Sequence, residues 1–140
     1  MSNSSSRTGA EQPFGSDNTP YDALGGEARV RELADAFYDH MDSDPRFTQV
    51  RQLHPEDLGQ SREKFHMFLS GWLGGPPLYE RVHGHPKLRA RHMPFAIGVV
   101  ERDQWLQCMS MAMDQLRIEG PIRDFLDERF AHVADFMRNQ

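Results

Sequence analysis

The chain has 140 residues, a formal net charge of −5 from 16 basic and 21 acidic residues, and one cysteine, Cys108. This is one domain's worth of chain with a modest core; its acidic balance gives no electrostatic reason for a nucleic-acid or anionic-membrane partner, and a lone cysteine excludes an intrachain disulfide and a thiolate metal cage. No apolar run approaches the ~20 residues of a membrane span, and the N-terminus lacks the apolar stretch of a secretory signal, so a cytoplasmic, reducing setting is expected.

Residues 1–20 are rich in Ser, Asn, Thr, Gly and Pro. Such a stretch buries too little to offset the entropy of ordering, so it reads as a flexible extension, with the domain proper over 21–140. Tyr21 to Leu24 is a candidate short first helix, ended by Gly25-Gly26. Glu27 to Met41 reads as an amphipathic helix whose apolar stripe is Val30, Leu33, Ala34, Phe37, Tyr38 and Met41. Tyr38 lies on that stripe, so its hydroxyl needs either a buried partner or an outlet to solvent. Residues 42–57 read as irregular, with turn signals at Ser43-Asp44-Pro45 and His54-Pro55-Glu56-Asp57. Leu58 to Leu73 is the next helix, with Leu58, Ser61, Phe65, Phe68, Leu69 and Trp72 inward and His66 one step off that face, expected exposed. Gly74-Gly75-Pro76-Pro77 ends it.

Residues 78–86 read as a loop. His83 and His85, with no carboxylate or cysteine cluster beside them, make a poor zinc site and suit bracing the loop by hydrogen bonds. Pro86 suits the first position of a short helix, and Pro94 cannot continue it. His92 then sits near a forced bend, on one face with Leu88, and Phe95 and Ile97 follow as apolar wall. Such a histidine either presents a ring nitrogen to a planar apolar ligand or is an ordinary boundary residue. Gly98 to Glu119 holds a long helix with a Trp105, Cys108, Met109, Ala112, Met113, Leu116 stripe. Methionines adapt to an irregular cavity and equally to plain core; the Trp105 indole N–H needs an acceptor if buried. Gly120 stops this helix, and Pro121 starts a final one to about Arg138. No segment alternates as a strand would, so the fold class is all-α.

Gly-Gly-Pro-Pro-Leu-Tyr at 74–79, His-Gly-His-Pro at 83–86 and Leu-Arg-Ala-Arg-His-Met-Pro-Phe at 88–95 form an unusual run, with Trp105 thirteen residues after His92. From about Tyr21 to Arg138 the chain resembles the group II truncated haemoglobins. The resemblance implies a truncated globin fold, a two-over-two helical sandwich around haem b (iron protoporphyrin IX), with His92 as proximal iron ligand. It implies that Tyr38 and Trp105 donate hydrogen bonds to the bound ligand. Ser61 then stands at the mouth of the distal pocket, with Phe65 a turn deeper and Lys64 and Tyr79 near the propionates. His54 falls at or beside the position where the family carries a distal Tyr or Phe, on a loop that is longer than the family pattern and expected to be flexible. It is either a second axial ligand opposite His92 or a solvent-exposed loop residue.

Haem needs an apolar slot, cations at its rim and an axial ligand. The expected slot is Phe37, Phe65, Phe68, Phe95, Ile97, Trp105 and Met109, and the expected rim is Lys64, Tyr79 and Arg91. His92 would bind through its neutral nitrogen, the other being held by a carbonyl or water. The ligands are then O₂, NO, CO or peroxide. Two strong donors argue against bulk transport and for NO or peroxide chemistry with an unidentified external reductase, since no Gly-x-Gly-x-x-Gly follows a strand. The alternatives are a hexacoordinate His54/His92 haem protein for electron transfer or redox sensing, and a helical interaction module without a cofactor.

Overall fold

Thr19 opens the helical part of the chain. Its hydroxyl accepts from the Asp22 N–H at 3.0 Å, and Pro20 fills the first turn of α1 (Pro20–Leu24), where its missing N–H costs nothing. The computed structural model describes residues 14–15 and 17–140; the flexible extension read for the remaining residues lies outside them. Phe14 meets the Phe125 ring edge-on at 5.0 Å, so the described part of that stretch is seated on the last helix.

Gly25 and Gly26 turn the chain with φ of 124° and 83°, angles that suit glycine. α2 (Glu27–Ser43) follows and buries Val30, Leu33, Phe37 and Met41. The stretch expected to be irregular contains a 3₁₀ turn at Pro45–Phe47 and a short α3 (Thr48–Arg51). Asp44 caps that turn, accepting from the Arg46 N–H at 2.9 Å, and Phe47 and Val50 are buried. That apolar pair three apart fastens the segment to the core and explains why it coils.

α4 (Gly59–Trp72) runs to the Gly-Gly-Pro-Pro turn. The Tyr21 ring lies against Gly75 so closely that a Cβ there would stand 2.4 Å from it. α5 (Leu78–His83) occupies part of the expected loop, because Tyr79 is buried and pulls one face down. The His83 ring packs on Tyr79 at 4.8 Å, and His85 Nδ1 accepts from the Lys87 N–H at 3.0 Å, the loop-bracing role expected of these histidines. α6 (Leu88–His92) starts after Lys87, whose φ of 49° is left-handed, rather than at Pro86. α7 (Val99–Gln115) begins where Glu101 accepts from the Gly98 N–H at 2.8 Å, and α8 (Pro121–Met137) closes the chain.

α2 packs against both α4 and α7, and α7 against α8. The pairs α2/α4 and α7/α8 thus form two layers, the two-over-two arrangement. Between them lie Phe37, Leu33, Met41, Leu69, Met109, Met113, Leu126 and Phe130. Arg62 ties α4 to α2 through Asp39 at 2.7 Å and Asp35 at 3.4 Å. Cys108 donates to the Phe37 carbonyl at 3.1 Å, and burial pushes its thiol up to about 12, so it is inert filler. His66, expected exposed, is 3% exposed, with neither ring nitrogen hydrogen-bonded among the described residues. The inward face of α4 is wider than its aromatic stripe, because the helix packs on α2 as well as facing the interior. Among the described residues there is no strand beyond a single bridge, Gly15 to Asn18, and no helix long and apolar enough to cross a membrane.

Candidate functional site

A cavity of about 420 Å³ opens between the two layers, with α6 as its floor. Tyr38, His54, Ser61, Lys64, Phe65, Tyr79, Arg91, His92, Phe95, Ile97 and Trp105 all line it. Residues from seven separate segments, including both tagged histidines and both candidate donors, thus converge on one space.

His92 ends α6, and its Nδ1 lies 2.6 Å from the Leu88 carbonyl oxygen. A carbonyl can only accept, so Nδ1 carries the proton and Nε2 keeps a free lone pair. The carbonyl one turn back therefore both orients the ring and sets its tautomer. His54 repeats the device: its Nδ1 lies 2.9 Å from the Val50 carbonyl oxygen. Burial pushes the His54 pKa down, the Val50 bond opposes that, and Arg51 and His92 push it down further.

The His54 loop, expected to be flexible, is braced by hydrogen bonds. Arg51 donates to Asp42 at 2.9 Å and to the Pro55 and Glu56 carbonyls at 2.8 Å each. Gln104 of α7 accepts from the Val50 N–H at 3.0 Å. His54 itself is half-buried, not a solvent-exposed loop residue.

Tyr38 is 6% exposed, and burial raises its phenol pKa, opposed by nearby Arg62. It stays a neutral O–H donor. Its ring stands edge-on to His54 at 5.6 Å and to Phe65 at 5.8 Å. Trp105 meets Phe65 at 6.3 Å, and Phe37 packs behind Tyr38, Phe65 and Trp105 at 5.0–5.2 Å. Neither the Tyr38 hydroxyl nor the Trp105 indole N–H is hydrogen-bonded among the described residues. Aromatic neighbours fix both rings but leave both donors unspent.

At the rim, Lys64 and Arg91 make no ion pair among the described residues. Arg91 lies over the Tyr79 ring at 5.8 Å. Arg102 also lines the cavity, but Asp103 and Asp135 already hold it at 3.1 and 2.8 Å. Three expected wall residues stand elsewhere: Phe37 packs behind Tyr38, Phe65 and Trp105 and does not line the cavity. Phe68 stacks on Trp72 at 6.1 Å, away from the cavity, and Met109 is fully buried in the helix-packing core. The helical period put all three on the right stripes, but the cavity cuts across those stripes, not along them. Conversely, Val50, Leu53, Leu88, Val133, Ala134 and Met137 line the cavity. Val133 and Met137 sit on the apolar stripe of α8, a signal that marks burial without saying against what.

Residues 19–139 match the family model described as bacterial-like globin. The chain belongs to the bacterial-like globin family. The group 2 truncated haemoglobin YjbI of Bacillus subtilis is 46% identical over 88% of this chain and 90% of its own. Among solved structures, the group II 2-on-2 haemoglobin of Agrobacterium tumefaciens matches with a TM-score of 0.84 at 44% identity, over 87% of this globin and 95% of that chain. The truncated oxygen-avid haemoglobin of Bacillus subtilis matches with a TM-score of 0.80 at 45% identity, over 87% and 100%. The fold of this globin is therefore the truncated 2-on-2 globin fold, and membership implies a haem cofactor and haem-based binding of diatomic ligands such as O₂.

The residues fit that cofactor. A cavity of about 420 Å³ is in the range of cofactor sites. Its walls are mostly apolar, and its rim carries two cations with no acidic partner among the described residues, as a disc with carboxylates on one edge requires. His92 offers a pre-oriented ring nitrogen of the kind that holds haem iron. Two hydrogen-bond donors without partners among the described residues line the same space.

Proposed function

We propose that this globin retains O₂ for reaction, in NO or peroxide detoxification with electrons from an external reductase, and does not carry O₂ in bulk. Haem, when bound, supplies an iron that takes up O₂ and other diatomic ligands. His92 Nε2 would hold it from the α6 side, with Lys64, Tyr79 and Arg91 at its carboxylate edge. The Tyr38 O–H and Trp105 N–H then provide two donors for a polarised guest, and Ser61 a weaker third. The observation that carries the reading is this pair of unspent donors in a cavity that also holds a pre-oriented imidazole. A hydrogen bond to a strongly polarised acceptor contributes roughly 1.5–3 kcal/mol, and two of them favour retention over release. That the Bacillus subtilis relative is described as oxygen-avid agrees with it.

The purified protein's visible spectrum is the first test. A Soret band is expected, and His92→Ala is expected to abolish or strongly weaken it. A folded, colourless parent protein that refuses added haemin would leave the interaction-module reading standing instead.

One observation favours a second reading. His54 duplicates the i−4 carbonyl anchor of His92 on the same cavity and keeps its Nε2 lone pair. His54 would then compete with external ligands for the iron, and apparent ligand affinity would fall to the fraction of protein in which it has withdrawn. In this hexacoordinate form the globin suits electron transfer or redox sensing. Low-spin bands in the ferric or deoxy ferrous protein are expected to turn high-spin in His54→Ala. Identical spectra of parent and variant would remove the second reading and leave the first.

A further inference from the structure

Residues 78–97 carry Arg81, Lys87, Arg89 and Arg91 against the single acid Glu80. That is a formal +3, so the rest of a chain with net charge −5 carries −8. All four cations are exposed, and none makes an ion pair among the described residues. This contrasts with Arg46, Arg51, Arg62, Arg102 and Arg123, each held by an aspartate. The same segment carries large exposed apolar side chains: Val82 at 66%, Met93 at 55% and Phe95 at 43%. Phe136 of α8, 52% exposed, continues the patch, because Arg89 lies over its ring at 5.6 Å and donates to its carbonyl at 2.6 Å. Phe95 is at once on this surface and on the cavity wall, so the patch lies one side chain from the cavity.

We propose that this face docks a small electron-carrier protein whose cofactor is ringed by acidic residues, with Phe95 and Met93 at the centre of the contact and Arg81, Lys87 and Arg89 around it. The proposal rests on the reading that the cavity holds a redox-active haem. Exposed cations in an otherwise acidic chain orient it, since the acidic remainder repels such a partner and this face attracts it. A small apolar centre with a charged rim suits the brief contacts of electron transfer, which lie at the low end of interface size. One electron leaves the partner's reduced carrier, which is oxidised, and enters the group in the cavity, which is reduced; no bond forms or breaks.

The test uses the full-length haem-loaded protein and a photoreduced plant-type [2Fe–2S] ferredoxin as the acidic probe. Association is measured by calorimetry and reduction by anaerobic stopped flow, between about 20 and 300 mM salt, a range that takes screening from weak to strong. For the parent, both are expected to fall about tenfold or more across that range. Arg81→Glu/Lys87→Glu/Arg89→Glu is expected to lose at least tenfold at low salt and most of the salt dependence. Arg81→Glu/Lys87→Glu, which spares the Arg89 contacts to α8, is expected to show the same change in smaller measure. Arg117→Glu, a charge reversal in the turn just after α7, is expected to behave as the parent. All proteins should be reduced by dithionite at equal rates. Wild-type association of the variants, or an equal loss in Arg117→Glu, would overturn the docking face. Absence of a Soret band in the parent would instead defeat the reading beneath it.

Discussion

Tyr38 and Trp105 show how a residue is committed to function. Each stands among aromatic rings that fix its plane, and each keeps its donor unused. Both side chains line the cavity, so each donor is free for a guest that accepts. Replacing either removes a donor and little volume in the first case, more in the second. Tyr38→Phe and Trp105→Phe are each expected to speed O₂ dissociation by about 10- to 150-fold, the range corresponding to 1.5–3 kcal/mol. Stopped-flow displacement of O₂ by CO measures this. Unchanged rates in both variants would refute the donor account, while the Soret band reports separately that the site is intact.

At the scale of elements, the α2–α4 contact carries a liability in His66. Burial lowers its pKa, and the nearby Arg31 adds to that; Glu63, whose carboxylate lies 3.8 Å away, and the more distant Glu27 and Asp35 oppose it without prevailing. The ring is therefore neutral in the folded protein and takes a proton more readily when unfolded. Between the folded pKa and the ordinary 6.5, the unfolded state binds more protons, so stability is full above about pH 6.5 and falls as the pH drops below it. His66→Gln cannot titrate. It is expected to show a smaller drop in urea midpoint from pH 7.5 to 5.5 than the parent, whatever its stability at neutral pH. A parallel acid limb in parent and variant would show that the loss arises elsewhere. His54, whose pKa is also lowered, leaves a residual slope in both.

For the whole molecule, the long helices were legible because their apolar periods and glycine or proline stops agree. The short ones were not. The 3₁₀ turn and α3 rest on Phe47 and Val50 alone, and α5 on Tyr79 alone, too few residues to display a period. The site was legible at His92, Tyr38 and Trp105 through a motif run, since nothing in the helical period distinguishes a residue facing a cavity from one facing another helix. Phe68 and Met109 illustrate that limit: they share a stripe with residues that line the cavity yet do not line it themselves. The braced state of the His54 loop was equally hidden, because Arg51 achieves it with carbonyls that any sequence would supply.

α6 buries none of its own residues. It is held by α8, by the Asn139 amide reaching the Phe95 carbonyl at 2.8 Å, and on its remaining side by whatever fills the cavity. A helix so short and so poorly covered does not sustain itself in water, and a guest that binds only the closed form adds its own free energy to folding. A haem-free chain would therefore open to proteases most readily over 84–98, and a haem seated in the cavity would shelter that stretch.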